Sequence, residues 1–229
     1  MQQSGTRFDV VISGASYAGL SLAVALAQAL EGIEIGLIDP VPPRGRIEPA
    51  RDPRAFAVSA SSQHVLDAIG VWTAVASEAQ PVRSIEITDS ELHAGIRPTL
   101  LTYANDTGGG EPASWILPGG VLLAELVEKS RATPGITFVT PSAAATGYKD
   151  GPNDAHVQLA DGRSLTARLV VAAEGRKSTL REAAGIKLVG WPYRQTGIVV
   201  TLAHERPHDG VAVQHFLPAG PFAILPMTG

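Results

Sequence analysis

The first apolar block, Phe8–Ser13, is short, rich in β-branched residues and followed at once by a run of small residues from Gly14 to Gly19. A block of that length closed by a glycine turn predicts a buried strand. From Ala18 to Glu31 the apolar positions follow helical spacing until Gly32, placed where a helix C-terminus favours glycine. Glu34–Asp39 returns as a second apolar strand, closed off by Pro40, Pro42 and Pro43. Strand, turn, helix and strand with short connections predict a βαβ unit with parallel strands and a right-handed crossover.

Further along, Val41–Pro53 is rich in Pro and Arg and reads as an irregular loop, and Ser59–Ile69 resumes helical spacing with Gly70 as its stop. Val82–Thr88 alternates like a strand. Asp89–Pro118 is Gly-rich and reads as irregular, with a tip at Thr107–Gly110, before Val121–Arg131 predicts a helix and Ile136–Val139 a strand. His156–Leu159 and Leu165–Ala172 flank Asp161-Gly162, a hairpin turn signal. Leu169–Ala173 then reads as a buried strand and Ser178–Ala184 as a helix. Gln195–Leu225 reads as several strands with turns at Asp209-Gly210 and Pro218-Ala219-Gly220, and the chain stops directly after Phe222–Leu225, the pattern of an interrupted domain. No fixed-period repeat is present.

At 229 residues the chain can bury a sizeable core in one domain or two interleaved ones. A net charge of −4 and a pI near 5.8 exclude a broad basic surface, so nucleic acid is not an expected partner, although Arg176 and Lys177 form a local basic pair. The absence of cysteine rules out disulfides, thiolate metal sites and a cysteine nucleophile. Ala18–Leu30 is too short to span a bilayer, and Asp9 and a strand precede it, so it reads as the crossover helix and not a secretory signal; the expectation is a soluble cytoplasmic chain. Asn105-Asp106-Thr107 matches a glycosylation acceptor only if the chain is secreted.

The turn Gly14-Ala15-Ser16-Tyr17-Ala18-Gly19 matches the dinucleotide fingerprint except that Ser16 stands at the middle glycine. That position asks for close approach of backbone to pyrophosphate, and a serine is small enough to fit or to donate a hydrogen bond. Gly14 permits the tight turn, Gly19 the close packing of helix on strand, and Ala15 and Ala18 complete the small-residue wall. Asp39 ends the second strand ~20 residues on, placed to accept from ribose hydroxyls. The unit by itself predicts a dinucleotide without separating FAD from NAD.

Four ordered stretches carry a family resemblance. They are the glycine turn with Asp39; Arg54-Ala55-Phe56-Ala57-Val58-Ser59 with Leu66 and Ile69-Gly70-Val71-Trp72; Leu169 to Gly175 with Ser178, Leu180-Arg181 and Ala184-Gly185-Ile186; and Gln195-Thr196 with Gln214, Phe216, Pro218, Gly220-Pro221, Ala223 and Leu225-Pro226. In this order the chain resembles the FAD-dependent aromatic hydroxylases of the para-hydroxybenzoate hydroxylase type, and most closely the ubiquinone-biosynthesis hydroxylases. The resemblance implies an α/β fold in which a Rossmann-like FAD-binding domain with a parallel sheet (residues 1–80 and 119–187) is interleaved with an incomplete β-rich substrate domain (81–118 and 188–229). It implies cofactor contacts from Gly14, Ala15, Ser16, Ala18, Gly19, Asp39, Arg54, Glu174 and Gly175, and places Ser178 and Arg181 at a helix start facing the cofactor.

By the same resemblance the activity is that of a flavoprotein monooxygenase: NAD(P)H as electron donor, FAD as cofactor, and hydroxylation of an aromatic ring, a polyprenylated phenol on the route to ubiquinone. That substrate implies peripheral contact with the inner membrane and association with other ubiquinone-biosynthesis proteins. No catalytic side chain is implied, because the cofactor carries the chemistry. Three departures stand out: Glu174 occupies the family's aspartate position, Pro118-Gly119-Gly120 replaces Glu-Asn-Arg, and the family's second FAD motif, a Gly-Asp pair, is absent. They keep open a non-catalytic or truncated homologue acting as an assembly partner, and the fold alone keeps open an NAD-dependent dehydrogenase. His204-Glu205-Arg206-Pro207-His208 satisfies the zinc-protease spacing, but Pro207 forbids the helix that would turn both histidines to one side, so no metal is expected. The other histidines, His64, His93, His156 and His215, show no ligand spacing.

Overall fold

A computed structural model describes residues 6–42, 54–91 and 93–228. Strand β1 (Thr6–Ser13) leads through helix α1 (Tyr17–Ala29) to β2 (Ile35–Ile38). The chain continues through β3 (Ala55–Ser59), α2 (Ala60–Ala68), α3 (Trp72–Val75), β4 (Gln80–Pro81), β5 (Ser84–Asp89), β6 (Thr99–Ala104), β7 (Ser114–Pro118) and α4 (Gly119–Ala132). After that come β8 (Ile136–Phe138), β9 (Ala145–Asp150), β10 (Ala155–Leu159), β11 (Ser164–Ala172), α5 (Thr179–Ala183), β12 (Val211–Leu217) and β13 (Gly220–Ile224).

Two units divide the chain: Met1–Arg46 with Leu123–Gly197, and Ile47–Leu122 with Ile198–Gly229. The first carries a six-stranded sheet in the order β8-β2-β1-β11-β10-β9. Its first four strands run parallel, and the β10–β11 hairpin and β9 add an antiparallel flank. Val11, Ile12, Ile35, Leu37 and Ile38 are fully buried, as expected of strands covered on both faces, which is why their sequences read as continuous apolar runs. Helix α1 buries Gly19, Leu20, Ala23 and Val24, one stripe at helical spacing. Phe8, Val11 and Ile38 pack in one cluster with Val157, Leu165, Ala167 and Leu180, so the hairpin and α5 share the core of the parallel strands.

The parallel register decides where chemistry can occur. Ser13 pairs with Ile38 on one side and with Ala172 on the other, so β1, β2 and β11 end level with one another. In a parallel α/β sheet the carboxyl ends of the strands are where ligands bind.

The second unit holds a four-stranded sheet, β13-β12-β5-β6, and a three-stranded one, β3-β7-β4. Val82, Ile116 and Ala212 are buried together there, and the Trp72 and Trp115 rings meet edge to face at 5.3 Å. Ser59 caps α2 by accepting from the Ser62 N–H, so the serine that ends β3 also starts the helix.

The mixed α/β class with a parallel sheet agrees with the expectation, and several elements differ locally. Asp89–Pro118 contains β6 and β7 where the pattern reads as irregular; every residue of β6 is exposed, so it has no inside-outside alternation to read. β3 and β9 also lacked a readable signal. Gln195–Gly210 contains no strand, although Ile198–Leu202 has high β-propensity: that propensity becomes a strand only where a ladder partner exists, and this segment has none among the described residues. Leu169, expected to be buried, is half exposed, because β10 pairs with β11 only over Ser164–Ala167 and leaves the later residues with β1 alone. Residues 54–80, expected with the cofactor domain, group with the second unit because β3 and β4 both pair with β7. Most of the Val41–Pro53 loop lies outside the described residues.

Candidate functional site

The glycine turn leaves β1 at its carboxyl end. Gly14 has φ +110°, a conformation that side chains rarely adopt, and a Cβ there would lie 2.4 Å from the Ala173 carbonyl oxygen. Its N–H donates to the Ile38 carbonyl at 2.8 Å, tying the turn to the end of β2. A Cβ on Gly19 would lie 1.9 Å from the Gly14 oxygen, so helix α1 sits directly on the turn it follows. Both glycines are therefore required by sterics.

The first helical bond of α1 runs from the Leu20 N–H to the Ser16 carbonyl at 2.9 Å, so the N–H groups before Leu20 lie outside the helical ladder. The first turn carries no acid, and the exposed Ser16 makes no side-chain capping bond. A helix start with N–H groups, small residues and no acid in its first turn has the chemistry that favours an anion. Because the Ser16 hydroxyl caps nothing, Ser16→Gly is expected to change thermal stability by less than ~0.5 kcal/mol and FAD affinity by no more than about threefold; a melting curve and a flavin-fluorescence titration check both.

Asp39 lies against this turn. Its Oδ2 accepts from the Ala15 N–H at 2.9 Å and its Oδ1 from the Val41 N–H at 2.8 Å. A carboxylate has about four acceptor positions, so two remain for hydroxyl groups. Ala15 and Ala18 occupy the turn and first helical residues beside it.

On the other side stands Glu174, after β11. Its Oε1 accepts from the Ser13 hydroxyl at 2.6 Å, and its Oε2 from the Ser178 hydroxyl at 2.7 Å and the Leu180 N–H at 3.0 Å. Ser178 in turn caps α5 by accepting from the Arg181 N–H at 3.1 Å. The Arg181 guanidinium donates to the Arg176 carbonyl at 2.8 Å. Gly175 is exposed and opens the tight turn Gly175–Lys177. Ser13 is the participant that the sequence reading missed; the available signal was a hydroxyl ending an apolar strand just before a glycine turn.

The structure thus brings Gly14, Ala15, Ser16, Ala18, Gly19, Asp39, Glu174 and Gly175 into one unit at the ends of three level strands. Arg54 belongs to the second unit, where its carbonyl accepts from the Gly119 N–H at 2.9 Å and Pro118-Gly119-Gly120 joins β7 to α4. In that unit His208 uses both ring nitrogens, one accepting from the Gly210 N–H at 3.0 Å and the other donating to the Met227 carbonyl at 3.0 Å. The buried His215 lies between the Thr88 and Ser90 hydroxyls. Among the described residues no cluster of His, Asp or Glu could hold a metal ion.

The family model described as FAD binding domain matches residues 7–228. The chain belongs to the FAD binding domain family. Ubiquinone hydroxylase UbiL of Rhodospirillum rubrum is 38% identical over 221 residues, covering 96% of this chain and 49% of that protein. The mitochondrial ubiquinone biosynthesis monooxygenase COQ6 of Mus musculus is 29% identical, covering 97% of this chain and 48% of its own length. The chain therefore spans about half the length of these relatives.

Among solved structures, the fold is shared with P. aeruginosa PqsL in complex with 2-aminobenzoylacetate, at a TM-score of 0.77, 19% identity and coverage of 98% of this chain and 59% of that one. It is shared also with the flavin-dependent monooxygenase PieE in complex with FAD and substrate, at a TM-score of 0.64 and 19% identity, covering 81% and 33%. For a member of the FAD binding domain family the cofactor is FAD, and the residues of the glycine turn fit such a dinucleotide. Two glycines keep the turn clear of side chains, a helix start faces it, and Asp39 retains acceptor capacity.

Proposed function

We propose that, at the full length of its relatives, this polypeptide is an FAD-dependent monooxygenase that hydroxylates an aromatic ring, with a polyprenylated phenol of ubiquinone biosynthesis as substrate and NAD(P)H as electron donor. The observation that carries the reading is 38% identity to a ubiquinone hydroxylase over 96% of this chain; the tight glycine turn and the Asp39 carboxylate bonded to the Ala15 N–H support it. FAD, when bound, supplies the redox and oxygen chemistry. The chain's own part is to seat the adenine-dinucleotide end: N–H groups at the start of α1 for the pyrophosphate, and Asp39 for the ribose hydroxyls.

A polyprenyl tail partitions into lipid, so the reaction takes place at a membrane surface, and the protein works there peripherally in association with other proteins of the pathway. Among the described residues no helix is long and apolar enough to cross a membrane. The test is to express the polypeptide extended over the second half of its relatives and incubate it with NAD(P)H, oxygen and a short-chain prenylated phenol. A yellow protein that consumes NAD(P)H and adds one oxygen atom to the ring, seen by mass spectrometry, is the expected result. A flavin-loaded protein that oxidises NAD(P)H without modifying any phenol overturns the substrate, and a protein that takes up no flavin overturns the activity.

A further inference from the structure

We infer that His208 is a positioning residue: its neutral imidazole clasps the segment that follows β13 to the turn that precedes β12, and so sets the end strand of the four-stranded sheet. The role deepens the reading above, in which residues 188–229 belong to the substrate domain, and rests on it for its kinetic arm only.

The partners of the ring fix its state. A backbone N–H can only donate and a carbonyl can only accept, so Nδ1, which takes the Gly210 N–H at 3.0 Å, carries the lone pair, and Nε2, which reaches the Met227 carbonyl at 3.0 Å, carries the proton. Gly210 lies in a turn that needs support. Asp209 is the one residue other than glycine with a positive φ among those described, at 51°, and the buried Gly210 follows at 74°. The Val211 N–H closes this turn on the His208 carbonyl at 2.9 Å, and the Gly210 carbonyl accepts from the Arg83 N–H at 2.8 Å, one residue before β5.

On the other side, β13 pairs with β12 only as far as Ile224 opposite Val213, so among the described residues no ladder bond holds Leu225–Thr228 to this sheet. Side chains hold the segment instead. Met227 packs against Val82, Ile116 and Ala212, and the Thr228 hydroxyl donates to the Glu78 carbonyl at 3.1 Å. The His208 ring adds the bond that ties this segment back to the start of β12. The shape of the side chain matters: asparagine can accept from the N–H two residues on but ends about where Nδ1 lies, whereas glutamine can bring a donor towards Met227 but leaves the Gly210 N–H without its acceptor. A second proton on the ring turns Nδ1 into a donor facing the Gly210 N–H, so that arm is lost while Nε2 still donates. The charged groups around the clasp are Asp209, next in the chain, Arg83, whose stem lies against Gly210, and Glu78, whose carbonyl holds Thr228; the ring's own two partners are backbone groups.

The test uses the 229-residue chain with His208→Asn and His208→Gln and needs no ligand: the backbone amide resonances of Gly210 and Thr228 are followed from about pH 8 to about pH 5. The Thr228 N–H shares its peptide group with the Met227 carbonyl and reports on that bond. In the parent both resonances are expected to move with the midpoint of the His208 ring protons. His208→Asn is expected to keep Gly210 near its parent position, to displace Thr228 and to remove the titration of both, and His208→Gln to displace Gly210. Parent resonances that do not follow the ring overturn the clasp, a measurement that needs no variant to fold, and so does a Thr228 left in place by His208→Asn. The kinetic arm uses the extended polypeptide and the short-chain prenylated phenol described above. By the resemblance Gly220-Pro221, Ala223 and Leu225-Pro226 lie in the substrate domain, so His208→Asn is expected to raise KM for the phenol about fivefold, with kcat and flavin content within about twofold of the parent. An unchanged KM beside a displaced Thr228, or a loss of flavin, overturns the positioning role. If the parent modifies no phenol, the substrate reading fails, and the clasp stands or falls on the Gly210 and Thr228 resonances alone.

Discussion

Gly19→Ala is expected to lower FAD affinity at least ~100-fold, about 2.7 kcal/mol, while most of helix α1 stays folded. The added methyl would lie 1.9 Å from the Gly14 oxygen, which is a backbone atom with nowhere to move: Gly14 is itself held by the Ile38 carbonyl on one side and pressed on Ala173 on the other. Helix α1 must therefore lift off the turn, and the N–H groups of its first turn move with it. Alanine is the best helix former, so the propensity gain of ~1 kcal/mol over glycine works in the opposite direction; it is smaller than the steric term and does not rescue the site. Gly14→Ala is expected to act similarly, with backbone strain of ~1–3 kcal/mol added by φ +110°. Circular dichroism reports the retained helix and a fluorescence titration the lost flavin. Binding of FAD by Gly19→Ala within about threefold of the parent would mean that the turn is not the cofactor cradle.

Asp39→Ala is expected to reduce FAD affinity about 30-fold, roughly 2 kcal/mol. Two effects compete. Removing a carboxylate near the phosphates relieves a like-charge repulsion of on the order of 0.5 kcal/mol at ~8 Å in water. It also removes the acceptor that holds the Ala15 N–H and the one that the ribose would use, and hydrogen bonds to a charged group are worth ~1.5–3 kcal/mol. The second effect wins. Asp39→Asn, which keeps one acceptor oxygen, should fall between, and AMP should follow the same order because it carries the same ribose. Equal affinity of Asp39→Ala and the parent chain for AMP would remove Asp39 from the site.

The βαβ unit was legible because its signals are local. Val10–Ile12 and Ile35–Ile38 are apolar throughout, Gly14 and Gly19 bracket the turn, and Gly32 closes the helix, so strand, turn, helix and strand follow from neighbouring residues alone. The Asp161-Gly162 hairpin and the serine-led helices α2 and α5 were legible for the same reason. β6 was hidden because none of its residues is buried, and Ile198–Leu202 read as a strand because propensity does not report whether a partner is present. At the site, Asp39 could be placed by counting from the glycines. The engagement of Glu174 by Ser13 could not, since the two residues are 161 positions apart.

What belongs to the amino-acid order of this chain is the glycine turn itself: only glycine fits where Gly14 and Gly19 stand, and a short apolar strand feeding a helix leaves little choice of geometry. What tertiary structure alone decided is the turn's surroundings. The parallel pairing of β1 with β11 sets Ala173 against Gly14, brings Glu174 within reach of Ser13, and leaves the later residues of β11 without a second neighbour. Backbone hydrogen bonding between distant strands carries no side-chain code at the positions it joins, so that pairing becomes visible only when the chain has folded.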